Sequence, residues 1–567
     1  MEAAFGTDPL VIREATGLRF TQVVLSPSIL LSGALPDEAQ AQVVVQVGAA
    51  AIPLSDEEAQ GIVVNSRWHP LEHSTVREIF RTLERHGAAN AQLPLGSYLS
   101  LKSDAAVSAL IIDNTDWAVG STAPIARRDF EALGLQVNLY PYQQVGAEYL
   151  AAMADRGVGV LLADQMGLGK TAQAIAFLLD QRIHGPSLVV CPASLSRNWA
   201  REISSFAPGL SVLTHSGSTR TGVAAGLQGH DVVLTSYETL VSDISFFADI
   251  AWNVVVLDEA QLIRNPDTMR SQVVKSLSRR ISLALTGTPV ENQLLDLWSV
   301  AEFVIPALLG TREAFDEYFP DEMERAELLG SIISPVTLRR LVSDVADDLP
   351  QLIEVETSFG LSKTDLDRYA EIASTNSGHL AAITALRVLC AHADGFGWSN
   401  TSRAAKVEHA MRIIEEAFAV DQKVLVFASF QETLNHLYEE VAATHSSAFL
   451  GVVDGRTDAS DRQTIVDLFS DFKGAGALLL NPQAAGVGLN ITAANHVIHF
   501  NPEWNPALTS QATARAYRRK QRLPVMAYHL YYEDTIEEDA VRRAEWKRAL
   551  ALRVDKGTLD SDKDLLG

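Results

Sequence analysis

One segment constrains the fold of this chain more than any other, because an apolar run, a glycine turn and a helical pattern follow one another directly. The segment GVGVLLADQMGLGKTAQAIAFLLDQRI (157–183) passes from apolar residues through MGLG to apolar residues at helical spacing. Strand, glycine turn and helix form the context of a phosphate-binding loop in a parallel α/β domain. The usual loop has a glycine where this chain has Asp164. An ordinary glycine-rich turn is therefore the alternative interpretation.

The GKT end of this turn and the glycines beside it carry most of the phosphate contacts of such a loop. Gly167 and Gly169 allow backbone N–H groups to point inward, and a helix beginning near Lys170 adds positive potential at its N-terminus. We expect the ammonium of Lys170 to reach the β- and γ-phosphates of a nucleotide and the hydroxyl of Thr171 to bind Mg²⁺. The predicted nucleotide-binding loop consists of Met166, Gly167, Leu168, Gly169, Lys170 and Thr171.

A second segment adds the carboxylates that nucleotide hydrolysis requires. WNVVVLDEAQ (252–261) is an apolar strand that ends in two acidic residues. Asp258 is expected to bind Mg²⁺ at the end of that strand, and Glu259 to orient or deprotonate the attacking water. On its own, an Asp-Glu pair after a strand is usually a solvated turn. Together with the glycine loop upstream it predicts an ATPase with a parallel α/β fold.

Further segments occur in the order that is typical of one family. They are LYPYQQVGAEYL (139–150), VVCPASLSRNWARE (189–202), VVLTSYETL (232–240), LALTGTPVENQLLDLWSV (283–300) and LLLNPQAAGVGLNITAANHVIHFNPEWNPALTSQATARAYRRKQ (478–521). With these segments, the chain from about residue 135 onward resembles the Swi/Snf-type DNA-dependent ATPases of helicase superfamily two. The resemblance covers roughly three-quarters of the sequence.

The resemblance implies an ATP site built from both halves of the chain. Gln143 is expected to read the adenine edge with its amide. Arg515 and Arg518 stand where the family places the arginines that stabilise the γ-phosphate. Gly488 belongs to a turn that links DNA to the nucleotide. The catalytic residues implied are Lys170, Asp258, Glu259, Arg515 and Arg518.

The resemblance also implies that the polymer is double-stranded DNA, contacted through its phosphates rather than its bases. Segments 189–202 and 232–240 look like those that grip the first DNA strand. An exposed Trp504 would stack on DNA, whereas a packed Trp504 would be a structural landmark. The residues expected to contact DNA are Ser194, Arg197, Thr235, Ser236, Asn490 and Trp504.

Several positions depart from the family pattern. Gln165 replaces a glutamate, Gln261 stands where histidine is common, and Ala514 replaces an acidic residue. Lys520 replaces a glycine, and with its neighbour Arg519 it is also compatible with a solvated basic helix. None of these changes removes a group with a named catalytic role. The changes at Gln261 and Lys520 are expected to affect how hydrolysis is coupled to DNA contact.

The landmarks predict an α/β fold with two RecA-like parallel-sheet lobes, helical insertions and a small α+β N-terminal region. Residues 1–130 form the accessory region, which serves either substrate or partner recognition or as a structural cap on the first lobe. Lobe one spans 131–300 and helical insertions span 301–405. Lobe two spans 406–535, and a C-terminal helical brace spans 536–567.

The amino-acid composition indicates the cellular compartment and limits the kinds of binding partner. The chain of 567 residues carries a formal net charge of −24, which argues against nonspecific coating of nucleic acid but not against a local basic cleft. Two distant cysteines in apolar surroundings, Cys191 and Cys390, indicate a reducing compartment. The N-terminus lacks the pattern of a signal peptide, and no apolar run is long enough to cross a bilayer. We therefore expect a cytoplasmic protein without a membrane partner.

Three functions fit these observations. The first is an ATP-driven translocase on double-stranded DNA that serves repair, fork remodelling, strand annealing or phage-related DNA transactions. The second is an ATP-gated DNA clamp or scaffold that hydrolyses ATP slowly and moves little. The third, a nucleosome remodeller, is disfavoured because the chain has neither recognisable histone-reading modules nor a basic nuclear-localisation run.

Overall fold

The fold is known from a computed structural model. It describes residues 4–5, 19–35, 39–48, 50–85, 88, 93, 98, 101, 104, 106–107, 110–117, 126–217, 220–221, 225–345, 349–374, 379–391, 405–485, 491–519 and 521–562. Within these ranges the predicted α/β class, with two large parallel sheets and a small α+β N-terminal region, is confirmed. No described helix combines the length and the apolarity that a membrane crossing needs.

The N-terminal region contains two four-stranded sheets and one described helix of 13 residues. The strands order as β1-β6-β7-β2 and β5-β4-β3-β8. Buried apolar residues of this region belong to the same hydrophobic cluster as the core of the first parallel sheet. The elements are β1 (Ala4–Phe5), β2 (Arg19–Phe20), β3 (Pro27–Leu35), β4 (Gln40–Val47), β5 (Ala50–Pro53), β6 (Gly61–Val64), β7 (Arg67–Pro70), α1 (His73–Arg85) and β8 (Ile111–Trp117).

The first parallel sheet has seven strands in the order β11-β12-β10-β13-β14-β9-β15, and we call it with its helices lobe one. Its strands are continuous apolar runs because helices cover both faces. They are β9 (Val160–Leu162), β10 (Ser187–Cys191), β11 (Val212–His215), β12 (Val232–Ser236), β13 (Trp252–Asp258), β14 (Arg279–Leu285) and β15 (Thr337–Leu338). The helices are α2 (Pro141–Asp155), α3 (Lys170–Gln181), α4 (Ser196–Phe206), α5 (Ala225–Gln228), α6 (Tyr237–Ser242), α7 (Ile244–Ala248), α8 (Met269–Ser276) and α9 (Leu294–Val304).

The sequence predicts only helical insertions over 301–405. The segment between the two large sheets also contains strands. It contributes β15 to lobe one, paired with β9, and β16 (Leu352–Phe359) to the second sheet, paired with β21 (Val525–Tyr532). Each strand extends an existing parallel edge, which satisfies backbone groups that would otherwise be unpaired. The helices of this segment are α10 (Arg312–Tyr318), α11 (Met323–Ile333), α12 (Val342–Val345), α13 (Lys363–Ser374) and α14 (His379–Ala391).

The second parallel sheet has six strands in the order β16-β21-β20-β17-β19-β18, and we call it with its helices lobe two. One apolar cluster covers each face. Its remaining elements are α15 (Ala405–Phe418), β17 (Lys423–Phe427), α16 (Gln431–Thr444), β18 (Phe449–Val453), α17 (Ala459–Asp471), β19 (Gly476–Leu480), α18 (Pro482–Ala485), β20 (His496–His499), α19 (Pro506–Thr513) and the 27-residue α20 (Ile536–Asp562).

The C-terminal helix α20 reaches from lobe two back to α11, which follows lobe one. The two helices cross at a glycine contact, since a Cβ on Gly330 would lie 2.1 Å from the carbonyl oxygen of Val554. Nearby, Arg339 donates to the carboxylate of Asp555 at 2.8 Å. The helix therefore ties the two lobes together. The domain boundaries at 130, 300, 405 and 535 stay predictions.

Candidate active site between the lobes

A cleft of about 1310 Å³ opens where the carboxyl ends of the lobe-one strands face α19 and the turn after it. In parallel sheets these strand ends are the usual place for ligands. The five predicted catalytic residues all line the cleft, Lys170, Asp258 and Glu259 from lobe one and Arg515 and Arg518 from lobe two. The lining also includes Met166, Gly167, Gly169, Thr171, Leu195, Asn198, Trp199, Arg201, Glu202, Gln463, Asp467, Gln511 and Ala514.

The glycine loop has the backbone that a phosphate cradle needs. Gly167 and Gly169 have φ values of 91° and 74°, in the left-handed region that favours glycine. Helix α3 begins at Lys170 directly after Gly169, so its free N–H groups face the cleft. The ammonium of Lys170 donates to the carbonyl oxygen of Asp164 at 2.7 Å, and burial lowers its pKa. Leu168 is fully buried and packs against Val342, so its side chain supports the loop rather than lining the cleft.

Asp164, where the usual loop has glycine, forms a buried ion pair with Arg340. The guanidinium Nε of Arg340 donates to Oδ1 of Asp164 at 2.8 Å, and a second nitrogen donates to Oδ2. Gln173 of α3 donates to Oδ2 at 3.0 Å and accepts from Arg340 at 2.7 Å. The aspartate thus fixes the start of the loop to the segment after lobe one. Gln165 adds to this link, because its side-chain oxygen accepts from the N–H of Val342 at 2.7 Å.

Gln143, predicted to read the adenine, lies beneath the glycine loop and outside the lining of the cleft. Its amide donates to the carbonyl oxygen of Leu168 at 3.0 Å and accepts from the N–H of Tyr140 at 3.0 Å. One oxygen lone pair of the amide remains for a base. The contact also explains the need for glycine at 169, since a Cβ there would lie 2.3 Å from the amide nitrogen of Gln143.

Asp258 is held through both carboxylate oxygens. The indole N–H of Trp199 donates to Oδ2 at 2.7 Å, and the N–H of Glu259 donates to Oδ1 at 3.0 Å. Burial, followed by the charge of Glu259, raises the pKa of Asp258, and the Trp199 hydrogen bond opposes that shift. Each oxygen keeps a lone pair, so Asp258 and the Thr171 hydroxyl form an oxygen donor set that suits Mg²⁺.

Glu259 adopts a strained backbone conformation that sets the direction of its carboxylate. Its φ of 51° and ψ of 53° lie in the left-handed region, which costs a non-glycine residue about 1–3 kcal/mol. Gln261 donates to Oε2 of Glu259 at 2.7 Å, and its own oxygen accepts from the hydroxyl of Thr286 at 2.8 Å. Gln511 of lobe two approaches Oε1 at 3.5 Å. The carboxylate is therefore oriented from both lobes.

The two arginines of lobe two face the glycine loop from across the cleft. A Cβ on Gly167 would lie 3.5 Å from Cγ of Arg518. Burial lowers the pKa of Arg515 to about 10 and also lowers that of Arg518, where the carboxylate of Glu202 opposes the shift. Both side chains therefore stay cationic at neutral pH in a largely desolvated place. Arg519 is no solvated basic residue, because its guanidinium lies 3.6 Å from the ring centroid of Tyr140.

The structure separates the predicted DNA contacts into accessible and buried residues. Ser194 and Arg197 are exposed at the start of α4. Thr235 is fully buried and donates to the carbonyl oxygen of His215 at 3.1 Å, while Ser236 is buried and caps α6. The side chains of these two residues are inaccessible to DNA in this structure, because β12 is an interior strand of the sheet, and their contact with DNA stays a prediction. Trp504 is half-buried beneath the guanidinium of Arg543 at 5.2 Å, which favours the packed alternative.

The sequence did not predict some residues that line the cleft, and some predicted positions lie where the structure gives no description. Trp199 and Glu202 lie within the quoted segment 189–202, but nothing in their spacing indicated that they face the nucleotide loop rather than DNA. Gln511 lies four positions before Arg515 and lines the cleft with it, although α19 ends at Thr513 between them. The remaining predicted positions, Gly488, Asn490 and Lys520, lie outside the described residues.

Comparison with known proteins decides the family. The SNF2-related domain matches residues 142–439, and the helicase conserved C-terminal domain matches residues 405–520. The chain belongs to the SNF2-related family. The second matched domain of this SNF2-related chain is one that helicases share.

Curated relatives and a solved structure are similar to this SNF2-related chain. An uncharacterized ATP-dependent helicase of Mycoplasma genitalium is 35% identical over 433 residues, 73% of this chain and 42% of the relative. The Zorya protein ZorD of Escherichia coli is 32% identical over 481 residues, 73% of this chain and 44% of ZorD. The SWI2/SNF2 ATPase core of Sulfolobus solfataricus in complex with dsDNA is 31% identical, with 76% of this chain and 96% of that chain covered and a TM-score of 0.39. This chain spans less than half the length of both curated relatives.

Proposed function

We propose that this SNF2-family protein is an ATP-driven translocase on double-stranded DNA. The observation that carries the proposal is the cleft in which Lys170, Asp258 and Glu259 of one lobe face Arg515 and Arg518 of the other. A site divided between two lobes is completed when they close, so nucleotide binding and release convert into relative movement of the lobes. DNA held by both lobes would be moved stepwise by that cycle.

The residues of the cleft take distinct roles in hydrolysis. The Lys170 ammonium would bind the β- and γ-phosphates in place of its present bond to Asp164, with backbone N–H groups of the loop beside it. Glu259 would orient the attacking water and accept its proton, since its carboxylate is already directed by Gln261. Arg515 and Arg518 would stabilise charge on the phosphoryl oxygens as the lobes close.

Magnesium belongs to the same proposal. The Asp258 carboxylate and the Thr171 hydroxyl would hold it, the aspartate through the lone pairs that Trp199 and the Glu259 N–H leave free. When bound, Mg²⁺ would neutralise charge on the β- and γ-phosphates. Trp199 and the Glu259 N–H would keep the Asp258 carboxylate in a fixed orientation whether or not the nucleotide is present.

The DNA would be contacted through its backbone. Ser194 and Arg197 are exposed beside the cleft and offer a hydroxyl and a guanidinium, both suited to phosphates and neither specific for a base. Asn490 remains a proposed contact on the lobe-two side. The net charge of −24 means that binding depends on this local surface rather than on the overall field.

Two further parts of the proposal concern the cellular location of the protein and the role of its N-terminal region. Cys191 and Cys390 are buried free thiols, which supports a cytoplasmic location together with the requirement for ATP. The N-terminal sheets share a hydrophobic cluster with lobe one, which supports the role of a structural cap as much as that of a recognition module. A protein partner of the N-terminal region remains a hypothesis.

The test is the ATPase rate without nucleic acid and with single-stranded DNA, duplex DNA, forked DNA and RNA. We expect duplex DNA to stimulate turnover and Lys170→Ala to abolish it in every condition, since the phosphates lose their point charge. A larger effect of forked DNA would indicate fork remodelling. Stimulation by RNA alone would overturn the choice of polymer.

Displacement of a triplex-forming strand separates movement from the clamp alternative. A translocase that starts at a distance removes the third strand with ATP, whereas a slow ATP-gated clamp leaves it in place. Lys170→Ala is the matched control, because it keeps the DNA-facing surface. Duplex-stimulated hydrolysis without displacement would contradict translocation, and slow hydrolysis without displacement would favour the clamp.

A further inference from the structure

Two buried aromatic residues bind Asp258, and each comes from a different segment that was predicted to grip DNA. The indole N–H of Trp199, in segment 189–202, donates to Oδ2 of Asp258 at 2.7 Å. The hydroxyl of Tyr237, in segment 232–240, donates to the main-chain carbonyl oxygen of Asp258 at 2.8 Å. Trp199 is 1% exposed and Tyr237 is fully buried. The side chain of Asp258 is therefore held by Trp199, and its backbone is held by Tyr237.

The topology explains how these three residues come together. The strands β12, β10 and β13 are neighbours in this order, and each ends at the same edge of the sheet. Tyr237 begins α6 after β12, Trp199 lies in α4 after β10, and Asp258 ends β13. The two helices that follow the strands therefore lie directly beside the aspartate.

Helix α4 has one face toward the cleft and another toward solvent. Trp199 follows Arg197 by two positions, which places the two side chains on roughly opposite faces of the helix. Arg197 is exposed and Trp199 is buried against Asp258. A ligand that shifts α4 through Arg197 therefore moves the donor that orients the carboxylate.

We propose that Trp199 and Tyr237 are positioning residues for the metal-binding carboxylate of Asp258, and that Trp199 transmits DNA contact at α4 to it. The proposal rests on the proposed function, since it assumes duplex DNA on the exposed side of α4. Both residues act through Asp258, which Trp199 binds at its side chain and Tyr237 at its backbone. Indole and phenol suit this role because each is a rigid group with one N–H or O–H donor aimed at a fixed place. Groups that orient a metal ligand typically account for about 10–100-fold in metal affinity or activity.

The first test measures metal-dependent nucleotide binding without nucleic acid. Trp199→Phe removes the donor and keeps an aromatic ring, and Tyr237→Phe removes only the hydroxyl. We expect each variant to need at least about tenfold more Mg²⁺ for half-maximal binding of a fluorescent ATP analogue, while binding without metal stays as in the wild type. An unchanged Mg²⁺ requirement in both variants would overturn the proposal.

Trp252→Phe is the matched control for Trp199→Phe. Trp252 is also 1% exposed, its indole N–H donates to the carbonyl oxygen of Phe247 at 3.1 Å, and it begins the strand that Asp258 ends. A general loss of packing would affect this control equally, whereas loss of positioning would not. An equal rise in the Mg²⁺ requirement of Trp252→Phe would contradict a specific role of Trp199.

The second test measures the ratio of ATPase rates with saturating duplex DNA and without DNA. We expect Trp199→Phe to reduce this ratio at least about tenfold at saturating Mg²⁺ while its duplex affinity stays unchanged. A wild-type ratio would overturn the transmission of DNA contact. If the wild type itself is not stimulated by duplex DNA, the proposed function fails, whereas the metal measurement still decides the positioning role.

Discussion

Asp164 and Arg340 stand 176 residues apart in the chain and form a buried ion pair at the start of the glycine loop. Asp164 is fully buried and Arg340 is 3% exposed. Gln173 completes the group through hydrogen bonds to both partners. Asp164, which replaces the usual glycine, therefore attaches the glycine loop to the segment that contains Arg340.

We expect Asp164→Ala to destabilise lobe one by about 3–5 kcal/mol, because it leaves the Arg340 charge buried without its partner. At roughly 2–4 °C per kcal/mol, the melting temperature should fall by about 6–20 °C. Calorimetry measures the shift. Arg312→Ala is the control, since its 2.7 Å pair with Asp267 is on the surface and should contribute only about 0–1 kcal/mol. Equal shifts in the two variants would show that the buried pair has no special role.

We expect Glu259→Gln to bind ATP and Mg²⁺ but to hydrolyse ATP about 10²–10⁴-fold more slowly, because an amide cannot accept the proton of the attacking water. The replacement preserves the size and the hydrogen-bonding reach toward Gln261. Single-turnover hydrolysis, combined with equilibrium binding of labelled ATP, separates the two effects. Loss of nucleotide binding would instead assign Glu259 a structural role.

Gln261 links Glu259 to Thr286 with an amide that carries no charge at any pH between 5 and 8. Gln261→His introduces a group with an ordinary pKa of about 6.5. The protonated imidazole would stabilise the Glu259 carboxylate as an anion and so make it a weaker base. Because both of its nitrogens carry hydrogen, it could no longer accept the hydrogen bond from the Thr286 hydroxyl. We expect turnover of the variant to fall more steeply than that of the wild type from pH 8 to pH 6. Superimposable pH profiles would contradict the link.

The parts of the site that the sequence predicted follow from local pattern and parallel topology. Asp258 ends one buried strand and Lys170 follows another through the glycine loop, and parallel strands end at one edge, so their proximity required no tertiary information. Arg515 and Arg518 depended on the family resemblance, because hundreds of residues separate them from Lys170.

The parts that were missed depend on contacts between distant segments. Local pattern could not predict the Asp164–Arg340 pair or the pairing of β15 with β9. Each of these contacts joins residues that are far apart in the chain. Thr235 was predicted to face DNA, but a polar side chain in an apolar strand can also face a neighbouring strand, and here its hydroxyl donates to the carbonyl oxygen of His215. The neighbours of β12 on both sides, which the local pattern does not reveal, account for its burial.

The central claim is that lobe closure brings Arg518 to the γ-phosphate, and turnover of Arg518→Ala at saturating ATP and duplex DNA tests it most directly. We predict unchanged binding of both ligands and a loss of about 10³–10⁵ in rate, equivalent to about 4–7 kcal/mol of barrier. Arg518→Lys should remain slow, since a point charge cannot reproduce the planar fork, and Arg522→Ala at an exposed position should retain the wild-type rate. Full turnover of Arg518→Ala once DNA is saturating would show that the residue contacts DNA instead.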